Sequence, residues 1–147
     1  MKVSTKGEYG LRALLELTKR YGEGYVLSSE IAAARSIPEN YLYQLLITLR
    51  KAGIIRSRRG PQGGHMLAKA PKDISVADAM LALEGPLEPT LCVQDDIVND
   101  CPYQEGCAMR EVWQLVTEAT SEILHSTRLD TLAEREANLR HIVSTTD

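Results

Sequence analysis

The stretch from Ser28 to Ala68 constrains the fold more than any other part of the chain. Ser28 is placed to cap a short helix through Ala34 that turns Ile31 and Ala32 inward. Arg35-Ser36-Ile37 reads as a tight turn, and Pro38 pre-sets the first turn of the next helix. That helix carries Leu42, Leu45, Leu46 and Leu49 at i, i+3, i+4 and i+7, and Gly53 ends it. The opposite face, Glu39, Asn40, Tyr43, Gln44 and Ile47, is left outward. Ile54-Ile55-Arg56-Ser57-Arg58 is strand-like, Gly60-Pro61-Gln62-Gly63-Gly64 is a turn, and His65-Met66-Leu67-Ala68 returns as a second strand. Two helices across a tight turn make a helix-turn-helix, and a glycine-tipped hairpin directly behind the second helix makes a wing. Arg56, Arg58 and Arg59 near the tip distinguish it from an ordinary hairpin.

The flanking segments are predicted to be mainly α-helical. Thr5-Lys6-Gly7-Glu8 fits a capping box for a first helix to about Tyr21, with Gly10, Leu14, Leu17 and Tyr21 on one stripe and Gly22 and Gly24 as stops. Ser75-Val76-Ala77-Asp78 opens another helix, which buries Val76, Ala79, Met80 and Leu83 and closes at Gly85-Pro86. Residues 86–106 show no helical or strand period and include Pro86, Pro89 and Pro102. A long helix follows from Cys107 or Ala108 to about His125, with Val112, Leu115, Val116, Ala119 and Ile123 at coiled-coil-like spacing. Such a stripe packs within the chain or on a second copy; helix-turn-helix proteins commonly read two half-sites, so a homodimer is expected. Residues 130–141 form a further short helix, and Ser144-Thr145-Thr146-Asp147 is expected to fray. The organisation is therefore a winged helix-turn-helix over 1–72, a connecting helix and cysteine-bearing loop over 73–106, and a dimerisation helix with tail over 107–147.

Charge separates along the same line. Residues 1–72 hold 13 Lys and Arg against 5 Asp and Glu, net +8, and residues 73–147 hold 4 against 15, net −11. A basic head on an acidic body suits a nucleic-acid-binding module, the bland alternative being a merely polarised surface. No apolar run approaches the ~18 residues of a membrane-spanning helix, and Met1–Lys6 lacks the apolar stretch of a secretory signal. Three Cys is an odd number and too few for a disulfide scaffold, so a cytoplasmic protein with usable thiols is expected. An enzyme is disfavoured: there is no Gly-rich phosphate loop, no Ser-His-Asp order and no paired-His metal motif.

Several of these pieces together resemble one family, the Rrf-type winged-helix transcription regulators, and specifically their iron–sulfur-binding, IscR- and NsrR-like branch. The resemblance covers nearly the whole chain. It is carried by Ser4-Thr5-Lys6-Gly7-Glu8-Tyr9, by Ile37-Pro38-Glu39-Asn40-Tyr41-Leu42 with Gln44-Leu45, and by Leu49-Arg50-Lys51-Ala52-Gly53. The wing Arg59-Gly60-Pro61-Gln62-Gly63-Gly64 and the three-cysteine loop before a long helix complete it. His65 departs from the Tyr more usual in the family and is read as a packing variation.

Eight residues separate Cys92 from Cys101 and five separate Cys101 from Cys107, which is not the short knuckle of structural zinc. Soft thiolates on a loop suit an iron–sulfur cluster, and Cys107 starts a helix, where negative charge is favoured. Asp95, Asp96, Asp100 and Glu105 oppose this by making the loop acidic. A thiol or disulfide switch, a zinc site and an inert loop stay open beside the cluster. The resemblance implies that Cys92, Cys101 and Cys107 are ligands of a 2Fe–2S or 4Fe–4S cluster. The family's His ligand three residues after the last Cys is here Arg110, which cannot ligate. The resemblance offers Glu8 from the other subunit as a fourth ligand, against its alternative role in the capping box. His125 lies about five helical turns beyond Cys107, too far to join unless the subunits cross.

For a double-stranded, near-palindromic operator, Asn40 and Gln44 are the expected base readers, since each amide can bond an adenine edge with both atoms. Asn40 has a helix-capping role as its alternative, and Tyr41 is expected to be buried against the first helix and not to contact DNA. Arg50 and Lys51 are expected on phosphate, Arg58 and Arg59 in or beside the minor groove, and Ser28 on phosphate. Two readings remain for control: a cluster that senses redox, iron–sulfur status or nitric oxide, or thiol oxidation or docking of a metabolic enzyme without a cluster.

Overall fold

The computed structural model describes residues 2–94 and 100–145, and its described elements are helices plus one two-stranded sheet. In chain order they are α1 (Thr5–Lys19), α2 (Ser28–Arg35), α3 (Glu39–Lys51), β1 (Ile55–Arg58), β2 (Gly64–Leu67), α4 (Val76–Glu84), α5 (Ala108–Ser126) and α6 (Leu129–Ser144). Short 3-10 turns cover Pro71–Asp73 and Leu91–Val93. Asp95, Asp96, Thr146 and Asp147, which enter the expectations above, lie outside the described residues.

The four leucines of α3 are 0–1% exposed and meet Leu14 and Leu17 of α1, Ile31 of α2, Ile55 and Leu67 of the hairpin and Leu83 of α4 in one core. β1 and β2 pair antiparallel with Ile55 opposite Leu67 and Arg58 opposite Gly64. The period-two alternation of the pleat therefore sends Ile55 inward and Arg56 outward.

Helix termini differ from expectation where distant side chains intervene. Ser4, not Thr5, caps α1, its hydroxyl accepting from the Gly7 N–H at 3.3 Å. The reach-back carboxylate is Glu84 of α4, which accepts from the Ser4 N–H at 3.1 Å, the Gly7 N–H at 3.0 Å and the Ser4 hydroxyl. Glu8 is thereby excluded from the cap and pairs with Arg12 one turn on. These bonds need α1 and α4 in close contact, and Gly10 permits it: a Cβ there would run into the Leu83 side chain. Ser28 is not the cap of α2 either. Leu27 holds that position and donates its N–H to Glu30 Oε2 at 3.1 Å, leaving Ser28 as the first helical residue. Because α1 stops at Lys19, Tyr21 falls beyond the helix and is exposed, not inward. Ser75 and Asp78 do form the expected reciprocal cap of α4, at 3.0 and 2.8 Å.

The C-terminal segment returns to the head. Thr127 accepts from the Val76 N–H at 2.9 Å, and Leu129 donates to the Ile74 carbonyl at 3.0 Å, fastening the α5–α6 junction to the start of α4. Leu129 is 0% exposed and belongs to the core. α6 is longer than the 130–141 expected, it lies on α1, and Arg35 of α2 bonds to it. Arg35, read from sequence as a turn residue, is instead the buried end of α2 and donates to Glu16 of α1 at 2.9 Å and to both Glu136 oxygens of α6 at 2.6 and 3.0 Å. Burial pushes the guanidinium down, but these hydrogen bonds outweigh it and hold its pKa above the ordinary arginine value. The Arg35 hydrogen bond likewise holds the Glu136 carboxyl below its usual range.

Candidate nucleic-acid interface and cysteine loop

α3 presents the face that sequence periodicity assigns outward. Glu39, Asn40, Tyr43 and Gln44 are exposed and Ile47 is half-buried. Pro38 occupies the N-cap position, so Asn40 sits inside the first turn with its amide outward and is not a cap. Tyr41 contacts the first helix, its ring edge-on to Tyr9 with centroids 5.7 Å apart, but at 38% exposure it is not buried there as expected. Arg50 and Lys51 close the helix, both exposed.

The wing continues this basic surface. Arg56 and Arg58 alternate along β1 on its outward side, and Arg59 follows at the tip, all three exposed. Ser57, between them, faces the other way and bonds His65 Nδ1 at 2.7 Å. His65 is half-buried, paired with Ser57 one step from the tip of the wing. Burial first, and the nearby Arg50 charge second, push its pKa below the ordinary histidine value, so the ring adds no charge there near neutral pH. Ser28 is the first residue of α2, half-buried, two positions after Val26, whose backbone bridges to His65.

The cysteine loop joins α4 to α5. Cys92 is half-buried in the Leu91–Val93 turn, with Thr90 Oγ1 3.1 Å from its Sγ. Cys101 is exposed, and Cys107 is the half-buried N-cap residue of α5, as its sequence position predicted. Among the described residues no three His, Cys, Asp or Glu side chains converge on one point. The donor types suit an iron–sulfur cluster, three soft thiols within one loop. The set is one ligand short in that loop, and the described residues do not assemble it. Glu8 is exposed on α1, paired only with surface Arg12 among the ion pairs described.

α5 leads directly out of this loop. Its half-buried side packs on α4, but none of its residues is buried. Met109, Val112, Leu115 and Ile123 are 47–65% exposed along one stripe. That stripe has no cover within the described chain.

Sequence reasoning missed three residues of consequence. Arg35 and Glu84 make their bonds to partners about a hundred and about eighty positions away along the chain, a pairing that local pattern rules do not address. Tyr25, in the connection between α1 and α2, lies beneath the wing arginine Arg58.

A leucine-backed helix with an open polar face, preceded by a short helix and followed by a basic wing, defines a winged-helix DNA-binding protein. The chain belongs to the Rrf2 family of transcription regulators: the family model described as an iron-dependent transcriptional regulator matches residues 3–135. The HTH-type transcriptional regulator CymR of Bacillus subtilis is 40% identical over 147 residues, covering 97% of this chain and 100% of the relative. Its solved structure, described as the global cysteine regulator, has a TM-score of 0.77 at 39% identity and covers 92% of this chain and 98% of that one. T. potens IscR gives 0.72 at 34% identity, covering 92% and 88%. The oxidized form of Staphylococcus aureus CymR gives 0.71 at 35% identity, covering 91% and 97%. These relatives are named as regulators, not as enzymes, and no described helix is long and apolar enough to cross a membrane.

Proposed function

We propose that this DNA-binding transcription regulator acts as a homodimer on a near-palindromic duplex and that its cysteine loop sets how well the two heads fit that duplex. The observation that carries the proposal is the position of the uncovered α5 stripe: it begins at Met109, two residues after Cys107. Pairing two copies along α5 buries the stripe and places both loops at the dimer rod. A change at the loop then alters the relation between heads that must match half-sites about 34 Å apart. Asn40 and Gln44 read base edges, Arg50, Lys51 and Ser28 hold phosphate, and Arg58 and Arg59 reach the minor groove.

Cys92, Cys101 and Cys107 would hold a 2Fe–2S or 4Fe–4S cluster, which supplies a centre responsive to redox state, iron–sulfur supply or nitric oxide. The similarity to T. potens IscR and the family description as iron-dependent support this reading. Glu8 is the fourth donor in this reading, contributed across the dimer. Its release from the helix cap supports the role, because an exposed pair with Arg12 is worth about 1 kcal/mol or less and is readily exchanged.

A second reading rests on the separation of the thiols within one chain and on the similarity to a CymR solved in an oxidized form. In it the cysteines act by thiol oxidation, or a docked metabolic enzyme controls the heads, with no cluster. Anaerobic reconstitution separates the two. The cluster reading expects iron, sulfide and visible charge-transfer absorption that Cys92→Ala abolishes. Colourless protein without iron or sulfide refutes it and leaves the thiol reading, which expects duplex affinity to change on reversible oxidation. Holo and apo protein of equal affinity for every operator tried would overturn the switch and leave the DNA reading intact.

A further inference from the structure

The wing is braced by chain outside its own two strands. Val26, in the connection between α1 and α2, donates its N–H to the His65 carbonyl at 2.8 Å and accepts the His65 N–H at 2.8 Å. This third stretch lies so close that a Cβ at Gly64, whose φ is +140°, would come within 2.5 Å of the Val26 carbonyl oxygen. The bridge fixes the neighbouring Tyr25 under the hairpin, with the Arg58 guanidinium carbon 5.9 Å from its ring centroid. No carboxylate among the described residues pairs with Arg58.

The chemistry of that contact matters for DNA. A carboxylate partner would neutralise Arg58 and occupy its N–H donors. An aromatic ring attracts the guanidinium through its face, leaving the full charge and the edge donors for DNA. An unsupported arginine loses much of its rotamer freedom when it binds, and a ring that already holds it removes part of that loss.

We propose that Tyr25 is a positioning residue for DNA binding, holding Arg58 by its face so that its edge meets the duplex at the minor groove. The proposal rests on the wing contacting DNA, as the proposed function has it. The test titrates a mixed-sequence duplex of about 30 base pairs across a salt series, using the full chain and its Tyr25→Leu, Tyr25→Phe, Arg58→Ala and Tyr25→Leu/Arg58→Ala variants. Tyr25→Leu is expected to weaken binding about two- to fivefold at low salt, with a shallower salt slope. Tyr25→Phe, which keeps the ring, should bind as the parent does. In the Arg58→Ala background Tyr25→Leu should have no further effect.

Full affinity in Tyr25→Leu overturns the proposal while Arg58→Ala still reports a wing contact. An equal loss with and without Arg58 also overturns it, since the ring would then act through packing of the hairpin. Loss in Tyr25→Phe would assign the effect to the hydroxyl and reject the mechanism. If Arg58→Ala changes neither affinity nor slope, the wing contact itself fails and the positioning role falls with it.

Discussion

Arg35 is the place where a single substitution should report on the whole head. Its side chain is 5% exposed, and its three charge-assisted bonds reach α1 through Glu16, whose side chain is 9% exposed, and α6 through Glu136, at 29%. Replacing Arg35 by Ala removes all three bonds and strands the Glu16 carboxylate beside the core. Removing one partner of a buried pair costs about 3–5 kcal/mol, most of it the unpaired charge. For a chain of this size each kcal/mol moves the melting temperature by about 2–4 °C, so a fall of roughly 6–20 °C is expected. Glu136→Gln leaves Arg35 its bond to Glu16 and should cost about 1–2 kcal/mol. Arg35→Met with Glu16→Leu removes both charges together and should recover most of the single-variant loss. Urea and thermal unfolding at one fixed protein concentration measure all three. Arg35→Ala within about 1 kcal/mol of the parent, or a double variant no better than the single, would refute the buried-charge reasoning.

Other consequences are accessible to simple assays. Gln44→Ala should relax preference at one base position per half-site by about 1–3 kcal/mol while leaving the salt slope unchanged, as binding to operator variants would show. Leu115→Glu should raise the dimer dissociation constant about a hundredfold or more, because a two-fold interface loses about 1.5 kcal/mol or more from each copy; sedimentation equilibrium reads this, and an unaltered association state would reject α5 as the interface. His65, held below its ordinary pKa by burial and by Arg50, contributes stability present above about pH 6.5. Below that the unfolded chain takes up a proton the folded ring resists, so stability falls with pH until the folded pKa is passed. The fall should be smaller in His65→Gln, and parallel urea midpoints for the two proteins between about pH 7.5 and 5.5 would contradict the assignment.

What was legible in the sequence was what neighbouring residues decide among themselves. The α3 leucines, the Ser75–Asp78 cap and the glycine-tipped hairpin each follow from spacing of a few positions, and each stands in the structure as read. The misreadings have the opposite character. Thr5 and Glu8 satisfy the local pattern for a cap, but Glu84 arrives from α4 with a carboxylate that bonds three donors at once. Arg35 follows a helix and precedes a proline, so it looks like a solvated turn residue until Glu136 comes back to meet it. On the DNA side, the outward set on α3 was readable because it is the complement of the leucine stripe. The brace under Arg58 was not, because it depends on a backbone bridge between Val26 and His65. The thiols were readable as a group by composition and spacing, whereas their convergence is a matter of tertiary and quaternary geometry.

The route of α6 has an outcome for biosynthesis. Leu129 fills the centre of a core whose other members lie between Ala13 and Leu83, and Glu136 supplies the counter-charge to a guanidinium in α2. A nascent polypeptide therefore cannot complete its DNA-binding half while those segments remain inside the ribosome, although the half's own helices have long since emerged. Premature stop codons between Ser126 and Glu136 should consequently yield products that chaperones and proteases intercept, not shortened regulators that still occupy operators.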